Sequence, residues 1–409
     1  MQHFKIINGD VTEVLKTLPD NFFDAVLSDP PYGISFMGKA WDRGVPSSST
    51  YKELARVLKP GAFGLHFGGT RMWHRLAISL EDAGFELRDT VLWLYGSGFP
   101  KSHNISKALD KVAGAEREVV GERKQWANGE GTNGGSFNNS ANQVELLTVP
   151  ATEAAKTWDG YGTALKPAWE PALLVQKPLD KTFANNALAW GSGGLNIDGC
   201  RVGCEIVSVH NAPAGSFAGG ELGRGSDTTS YSYNTGRFPA NLILDEEAGE
   251  ALDAQSGTRP GGPSRFFYCA KVPTKERNAG LGDGFEIKSA PYESYRENAQ
   301  DTKGIDTPFA GAARAGGSKN SHPTLKPLAL TEYLAKLLLV PDRKPTRDIY
   351  GNEVKKPRRI LVPFSGAGSE MIGCLKAGWD EVWGIEIDEE YVMIAKARIA
   401  FHTQAAPLF

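Results

Sequence analysis

The tetrapeptide Asp29-Pro30-Pro31-Tyr32 has the residue types of a site that could act on an amino group. Proline fixes its own φ, restricts the residue before it and has no N–H, so this turn is stiff and the prolines offer only acceptors. The Asp29 carboxylate and the Pro30 carbonyl can therefore accept the two hydrogens of one NH2 group. The Tyr32 ring can stack on a flat base. A rigid surface turn after a strand is the plainer interpretation.

A glycine-rich loop near the C-terminus is typical of a nucleoside site. The loop Pro363-Phe364-Ser365-Gly366-Ala367-Gly368-Ser369 follows an apolar strand and precedes a helix. Its glycines let the backbone approach a ligand, and the helix N-terminus offers free N–H groups. Some way on, Glu386-Ile387 closes a second strand, where a carboxylate can accept both ribose hydroxyls of an adenosine. A dinucleotide site or a plain strand-to-helix turn would also fit the loop alone.

The elements that must position these residues alternate between strands and helices, which predicts an α/β fold with a mainly parallel sheet. Strands are predicted at 4–7, 23–28, 62–67, 90–94, 359–362 and 381–387. Helices are predicted at 11–18, 51–58, 70–83, 328–339, 370–377 and 391–401. The segments 126–143 and 215–236 are rich in Gly, Asn and Ser, which indicates either linkers or loops that order on a partner.

Together these motifs resemble the amino-group DNA methyltransferases, whose hallmark is Asp-Pro-Pro-Tyr at the end of a sheet strand. Asn8-Gly9-Asp10 resembles the loop that touches the cofactor adenine, and Leu58-Lys59-Pro60-Gly61 matches the segment after the catalytic strand. His322-Pro323-Thr324-Leu325-Lys326-Pro327 resembles the motif that helps close over the methionine part of the cofactor. The catalytic motif precedes the cofactor loop, and this order resembles the beta group of the family.

The resemblance covers residues 1–100 and 318–400. It reaches the middle of the chain through 98–102 and 166–171, which are similar to phage and prophage modification enzymes. It implies a Rossmann-like class I methyltransferase fold with a twisted sheet, a permuted motif order and an inserted target-recognition region. We expect a catalytic domain at 1–178, with a loop-rich excursion at about 110–160. The recognition region is expected at 179–317 and the second part of the catalytic domain at 318–409.

The resemblance also implies S-adenosyl-methionine as cofactor and assigns site residues. The expected catalytic residues are Asp29, Pro30, Pro31 and Tyr32. The expected cofactor-binding residues are Asn8, Gly9, Asp10, Asp29, His322, Thr324, Lys326, Pro363, Phe364, Ser365, Gly366, Gly368, Ser369, Glu386 and Ile387.

The expected reaction is site-specific methylation of the N6 amine of an adenine flipped out of duplex DNA. An N4-cytosine methyltransferase is the nearest alternative, although such relatives more often carry Ser in place of Asp29. Enzymes that methylate RNA or a protein amide more often carry Asn before Pro-Pro-Tyr and have no large insertion. The intact motifs argue against a non-catalytic DNA-binding module. A dehydrogenase would leave the Asp-Pro-Pro-Tyr turn without a role.

The chain has 409 residues and a net charge of −3, so any surface that binds DNA must be a local patch. The segment 341–359 has seven basic and three acidic residues, and it is either a solvated loop or a phosphate-binding patch that includes Arg343, Lys344 and Arg347. Trp41 either packs in the protein or covers the flipped base. The expected partner is double-stranded DNA. The resemblance adds a homodimer, and a restriction endonuclease partner stays open.

The four cysteines make no disulfide framework, and no apolar run reaches the roughly 20 residues of a membrane helix. We therefore expect a cytoplasmic protein without membrane contact. Cys200 and Cys204, with His210 and Cys269 further along the chain, do not have a usual zinc-finger spacing. Small buried residues are thus favoured over a zinc site, and no metal is expected.

Overall fold

The structure is a computed structural model that describes residues 2–34, 42, 44–96, 102–124, 144–211, 230–256, 262–270, 276–282, 285, 320, 325–347 and 352–408. Its strands are β1 His3–Asn8, β2 Phe23–Ser28, β3 Leu58–Phe67, β4 Glu86–Leu94, β5 Val119–Lys124, β6 Val144–Thr148, β7 Trp169–Gln176, β8 Val202–Asn211, β9 Ser230–Arg237, β10 Leu242–Asp245, β11 Tyr268–Ala270, β12 Thr346–Arg347, β13 Glu353–Val354, β14 Arg359–Pro363, β15 Glu381–Glu386 and β16 Ala406–Pro407. Its helices are α1 Val11–Thr17, α2 Ser48–Val57, α3 Trp73–Glu81, α4 Ile105–Val112, α5 Glu153–Thr157, α6 Phe183–Trp190, α7 Glu246–Ser256, α8 Leu328–Leu337, α9 Ser369–Ala377 and α10 Glu389–His402.

A 10-stranded sheet forms the centre of the described part of the chain, in the order β11-β10-β4-β7-β3-β2-β14-β15-β1-β16. Strand β7 runs antiparallel to its neighbours β3 and β4, whereas the other neighbouring strands of this sheet are parallel. The expected Rossmann-like α/β fold is confirmed. The N-terminal and C-terminal parts of the chain meet in one sheet, where β2 pairs with β14.

Apolar side chains bury both faces of this sheet. Alternate residues of β14 point to opposite faces, so that Ile360 and Val362 pack in one core and Leu361 in the other. Helices α8 and α9 cover the first core, and α1, α2 and α3 cover the second. Strand β2 is buried along its whole length, because both faces of the sheet are covered at this strand. A strand buried in this way consists mostly of apolar residues.

Local capping sets where the helices around the site begin and end. The Asp10 carboxylate accepts the backbone N–H groups of Thr12 and Glu13 at the start of α1, and Asp388 accepts that of Glu390 at the start of α10. Gly378 ends α9 in the left-handed region at φ 101°. The three helices α1, α9 and α10 each follow directly after a strand of the sheet that ends at the candidate site.

The middle of the chain has more regular structure than its composition predicts. Residues 230–236, expected in an irregular segment, lie in β9, which forms a hairpin with β8. The excursion expected at about 110–160 includes the hairpin β5–β6 and helix α5. Segment 126–143 and residues 215–229 lie outside the described residues.

The region 179–317 is not wholly an insertion outside the catalytic sheet. Its strand β10 pairs with β4, and β11 pairs with β10, so both extend the large sheet. The backbone hydrogen bonds of these two strands are part of the central sheet, and the target-recognition role expected for 179–317 stays a prediction. No helix in the described ranges combines the length and apolar character that spanning a bilayer requires.

Candidate active site

The candidate site lies where the carboxyl ends of four neighbouring parallel strands meet. Asp29 follows β2, Phe364 follows β14, Glu386 ends β15 and Asn8 ends β1. Strand order reverses between β2 and β14, since chain connections lead away from this pair on both sides. Ligands of open α/β sheets bind at such a switch point, outside the carboxyl ends of the strands.

The glycine-rich loop between β14 and α9 has a backbone that only a few residue types accept. Phe364, Gly366 and Gly368 all have positive φ, at 59°, 49° and 81°. A Cβ on Gly368 would lie 2.9 Å from the Cβ of Ala395 on α10, so glycine is needed there for close packing as well. The loop thus holds the N-terminus of α9 open towards the sheet edge, as a nucleoside site requires.

Arg398 on α10 supports this loop from inside the protein. Its side chain is 1% exposed, and its guanidinium donates to the carbonyl of Ala367 at 2.5 Å and to the Ser369 hydroxyl at 3.2 Å. A buried arginine far along the chain was not predicted as a site residue, because nothing local to its helix shows which loop it contacts. It fixes the loop without reaching the expected ligand position.

Glu386 is the carboxylate expected to accept ribose hydroxyls, and it is 7% exposed. One oxygen accepts the backbone N–H of Gly366 at 2.8 Å and the other accepts that of Asp388 at 2.9 Å. Burial raises the pKa of Glu386, and these backbone donors act against that increase. A carboxylate has about four acceptor positions, so capacity remains for two hydroxyl groups.

The other expected cofactor residues differ in how they face the site. The Asn8 amide donates to the carbonyls of Glu386 and Ile387, at 2.9 and 3.0 Å, which ties β1 to β15. The exposed side chain of Ile387 stands beside Glu386. The hydroxyl of Ser365 is buried near Gly384 and has no hydrogen-bond partner in the described part of the chain, while the backbone N–H of Ser365 donates to the carbonyl of Ile385 at 2.9 Å.

The turn after β2 holds Asp29 and Tyr32 in one polar cluster. The Tyr32 hydroxyl lies 2.9 Å from Asp29 Oδ1, and the Lys326 ammonium lies 2.8 Å from Asp29 Oδ2. Lys326 also lies 3.0 Å from the Tyr32 hydroxyl. Behind the ring, a Cβ on Gly69 would lie 3.1 Å from a Tyr32 ring carbon, so glycine leaves the space that the ring fills.

Glu170, at the start of β7, completes this cluster. Its Oε2 lies 3.3 Å from both the Lys326 ammonium and the Tyr32 hydroxyl. Burial raises the pKa of Tyr32 well above its ordinary value, and the carboxylates of Asp29 and Glu170 raise it further, so the hydroxyl keeps its proton. Glu170 was not predicted as a site residue, although it lies in the segment 166–171 that the resemblance singled out.

A further buried acid, Glu370, lies in the first turn of α9 and is 5% exposed. Burial raises its pKa to about 7, and the nearby charge of Asp29 contributes to the increase. Sequence reasoning missed it because only the fold brings α9 close to the end of β2. Expected site residues Trp41, His322 and Thr324 lie outside the described residues. Asp42, next to Trp41, accepts the backbone N–H of Gly33 at 2.8 Å and so braces the end of the catalytic turn.

The described residues of the basic segment, 341–347 and 352–359, include contacts at the amino end of β2, on the other edge of the sheet. The Arg343 guanidinium pairs with the fully buried carboxylate of Asp24, at the start of β2, and donates to the carbonyl of Pro357 at 2.6 Å. Lys59 and the backbone N–H of Arg359 also contact Asp24. Arg343 is therefore part of the protein's own packing. Lys344 and Arg347 are exposed.

No three His, Cys, Asp or Glu side chains lie close enough to hold a metal ion among the residues that the structure covers. Cys200 is buried with its thiol against the backbone of Tyr333, and Cys204 is exposed.

Comparison with known proteins decides the family. The family described as DNA methylase, which includes N6 and N4 enzymes, matches residues 23–397 of the chain. The chain belongs to this DNA methylase family. The resemblance inferred from the motifs is thereby confirmed at the level of the family.

Individual relatives match parts of the chain. The type II methyltransferase M.HindIII of Haemophilus influenzae is 23% identical over 237 residues, which are 47% of this chain and 64% of that protein. The putative methylase YubD of Escherichia coli is 31% identical over 90 residues, 20% of this chain and 39% of its own. The uncharacterized protein MJ1233 of Methanocaldococcus jannaschii is 43% identical over 114 residues, 28% of this chain and 35% of its own. The matches thus span between about a third and two thirds of these relatives.

Solved structures of DNA methylases are similar only in outline. The PvuII DNA methyltransferase, titled cytosine-N4-specific, is 13% identical with a TM-score of 0.42, over 97% of this chain and 86% of its own. A protein of Thermus thermophilus titled putative DNA modification methylase, in complex with S-adenosyl-methionine, is 13% identical with a TM-score of 0.37, over 99% of this chain and 98% of its own.

The residues of this chain fit S-adenosyl-methionine. The loop 364–368 leaves its backbone open at the N-terminus of α9, and Glu386 retains acceptor positions beside it. Asp29 follows β2, which pairs with β14, so the turn after β2 and the glycine-rich loop lie at neighbouring strand ends.

Proposed function

We propose that this DNA methyltransferase methylates the N6 amine of an adenine within a specific duplex sequence. The observation that carries the proposal is the position of Asp29, whose carboxylate stands at the switch point next to the cofactor loop. Asp29 rather than Ser in the first position of the motif favours adenine over cytosine. The alternative, N4-cytosine methylation, uses the same chemistry at an exocyclic amine.

The proposed reaction follows from the acceptors at the turn. The lone pair of the adenine amine is delocalised into the ring, which makes it a poor nucleophile. Asp29 and the Pro30 carbonyl accept its two hydrogens, which favours a pyramidal nitrogen with its lone pair directed at the methyl group. Bound S-adenosyl-methionine supplies that methyl group on a sulfonium, an activated leaving group. As the nitrogen lone pair forms the bond to the methyl carbon, the carbon–sulfur bond would break with its electron pair on sulfur, and the methylated nitrogen would lose one proton to water. Positioning lowers the barrier by several kcal/mol.

The adenine must leave the duplex before its amine can reach Asp29. An amine inside a duplex is paired and stacked, so extruding the adenine costs a few kcal/mol. Stacking on Tyr32 offsets part of that cost. Because its hydroxyl is held by Asp29, Lys326 and Glu170, the Tyr32 ring has a fixed position before the base arrives. No covalent intermediate with the protein is required, so no nucleophilic cysteine is needed.

The wider organisation is part of the same proposal. The region 179–317 reads the DNA sequence, since its Arg, Asn, Tyr and Gly residues suit contacts with base edges. The catalytic part comprises 1–178 and 318–409. A homodimer follows from the resemblance to the beta group, and a restriction endonuclease partner would make the chain one half of a restriction-modification pair.

Replacing the catalytic acid tests the proposal. We expect Asp29→Ala to abolish methyl transfer while leaving S-adenosyl-methionine binding largely intact, because Asp29 is proposed to hold the target amine. Calorimetry measures cofactor affinity, and tritium transfer from labelled S-adenosyl-methionine to DNA measures activity. Asp20→Ala, at an exposed aspartate before β2, is the matched control. Activity of Asp29→Ala within about tenfold of the wild type would remove Asp29 from the mechanism.

A further inference from the structure

Lys326 lies in a different environment from the one that a cofactor-closing motif implies. Its side chain is 5% exposed, and its ammonium stands between the carboxylates of Asp29 and Glu170. The backbone of Lys326 is held in place by α8, which begins two residues later. Leu330 and Leu334 anchor that helix in the core. Rings of Phe67 and Tyr32 lie 4.7 and 5.3 Å from the ammonium.

The charge of Lys326 is kept by its neighbours. Burial acts to lower the pKa of Lys326, but the carboxylates of Asp29 and Glu170 outweigh it, so the pKa lies well above its ordinary value. The cluster therefore contains two carboxylates and one ammonium around the neutral Tyr32 hydroxyl. A buried charge of this kind is stable only while its partners remain, because an unpaired ion in a protein interior is costly.

The hydrogens of the ammonium are used within the protein. A lysine ammonium has three donors, and two of them are used in hydrogen bonds to Asp29 and the Tyr32 hydroxyl. The Glu170 carboxylate lies 3.3 Å away as a second ion-pair partner, so the charge of the ammonium is balanced within the protein. The contacts also fix the catalytic acid, since Lys326 holds one oxygen of Asp29 and the Tyr32 hydroxyl holds the other. The remaining lone pairs of Asp29 then point in a set direction.

We propose that Lys326 is a positioning residue for Asp29 and Tyr32, and that Glu170 keeps Lys326 in place. The inference rests on the proposed function, because it takes Asp29 as the acceptor of the target amine. Lys326 thus acts on the methyl-transfer step through the catalytic turn and not through cofactor binding. Glu170 acts only through Lys326 and the Tyr32 hydroxyl.

Single-turnover methylation at saturating cofactor and DNA tests the inference. We expect Lys326→Met to lower the rate constant by about 100-fold and Glu170→Gln by about tenfold, since each removes a hydrogen bond to a charged group. The dissociation constant for S-adenosyl-methionine, measured by calorimetry, should change less than about threefold in either variant. Lys336→Met, at an exposed lysine on α8, is the control and should match the wild type in both measurements.

The double variant gives the sharpest outcome. Lys326→Met leaves two carboxylates facing each other, whereas Lys326→Met with Glu170→Gln removes one charge of each sign. The double variant should therefore be faster than Lys326→Met alone. Equal or lower activity of the double variant would overturn the role of Glu170. A near-normal rate constant in Lys326→Met, with cofactor affinity at least about tenfold weaker, would make Lys326 a cofactor ligand instead.

The role of Lys326 and the identity of the methylated base can be tested independently in the same reactions. The methylated base is identified in each digest of the product DNA. A product other than N6-methyladenine would contradict the proposed function, while the rate constants would still report on Lys326. Thermal unfolding of every variant shows whether it is folded, and Glu170→Gln, the more conservative change, carries the test if Lys326→Met does not fold.

Discussion

The buried carboxyl groups of Glu370 and Glu386 flank the glycine-rich loop, and they differ in their surroundings. Glu386 accepts two backbone N–H groups, which favour its ionised form against burial. Glu370 is governed chiefly by burial and by the charge of Asp29, which both favour its protonated form. Glu386 is thus suited to accept hydroxyl groups as an anion, and Glu370 titrates close to neutral pH.

Glu386→Ala should weaken binding of S-adenosyl-methionine by roughly ten- to hundred-fold, because a charged acceptor of two ribose hydroxyls is lost. Isothermal calorimetry measures this affinity. Glu389→Ala, three residues on and exposed, should bind like the wild type. An unchanged dissociation constant in Glu386→Ala would mean that the ribose lies elsewhere.

Glu370 gives the protein a dependence of stability on pH. Its pKa is about 7 in the folded chain against an ordinary value of 4.5, so between these values the folded chain holds a proton that the unfolded chain has lost. The stabilisation from this group is complete below pH 4.5 and disappears as the pH rises through about 7. Glu370→Gln removes this dependence.

The measurement is urea unfolding of wild type and Glu370→Gln from pH 4.5 to pH 8. The free energy of unfolding of the wild type minus that of the variant should fall across the interval up to about pH 7 and level off above it. Glu153→Gln, an exposed acid in the first turn of α5, is the control, and its difference from the wild type should stay flat. Parallel curves for Glu370→Gln would contradict the assignment.

Arg343 ties residues 341–347 of the basic segment to the amino end of β2, so the phosphate contact expected from the charge of this segment would lie at the opposite edge of the sheet from Asp29. Arg343 pairs with Asp24 at the amino end of β2, on the edge of the sheet away from Asp29. At the catalytic edge, exposed Arg71 follows the carboxyl end of β3 and lines a cleft of about 210 Å³ with Gly33. Arg71 is thus better placed for a DNA phosphate than Lys344 or Arg347.

Arg71→Ala should therefore flatten the slope of log affinity for DNA against log salt by about 0.9, the effect of one lost phosphate contact. Lys344→Ala with Arg347→Ala should leave that slope unchanged. Fluorescence anisotropy with cognate and random duplexes measures both, and a phosphate contact weakens the two alike. A slope flattened by the Lys344 and Arg347 changes, and not by Arg71→Ala, would place the DNA backbone on the other edge.

The elements show which parts of the fold the sequence could predict. Strand β2 and the loop after β14 have local signatures, in apolar runs, prolines and glycines, and they form as predicted. The antiparallel place of β7 was not predicted, because it depends on pairing with β3 and β4 far away in the chain. Strands β10 and β11 have four and three residues, too few for a periodic pattern.

The residues of the candidate site could likewise be predicted only where the local sequence marks them. The turn at Asp29 and the acid at Glu386 could be predicted because each stands directly after a strand. The contacts of Lys326 with Asp29 and Glu170 could not, since they join residues of three separate segments whose proximity depends on the folded sheet. Arg398 and Glu370 were missed for the same physical reason.

The catalytic motif precedes the cofactor loop in the chain, and strands from both parts of the chain still form one continuous sheet. Strand β2 from the first part of the chain pairs with β14 from the last part, and the catalytic turn and the cofactor loop meet only because of this pairing. The intervening chain adds β7, β10 and β11 to the same sheet. The proposed recognition region is therefore anchored to the catalytic sheet.

The base that this protein methylates can be identified directly in its product DNA. DNA incubated with the protein and S-adenosyl-methionine is digested to nucleosides, which are separated and identified by mass spectrometry. We expect N6-methyladenine from the wild type and none from Asp29→Ala, because the carboxylate of Asp29 is proposed to hold the adenine amine. N4-methylcytosine as the product, or N6-methyladenine at a comparable level from Asp29→Ala, would contradict the account.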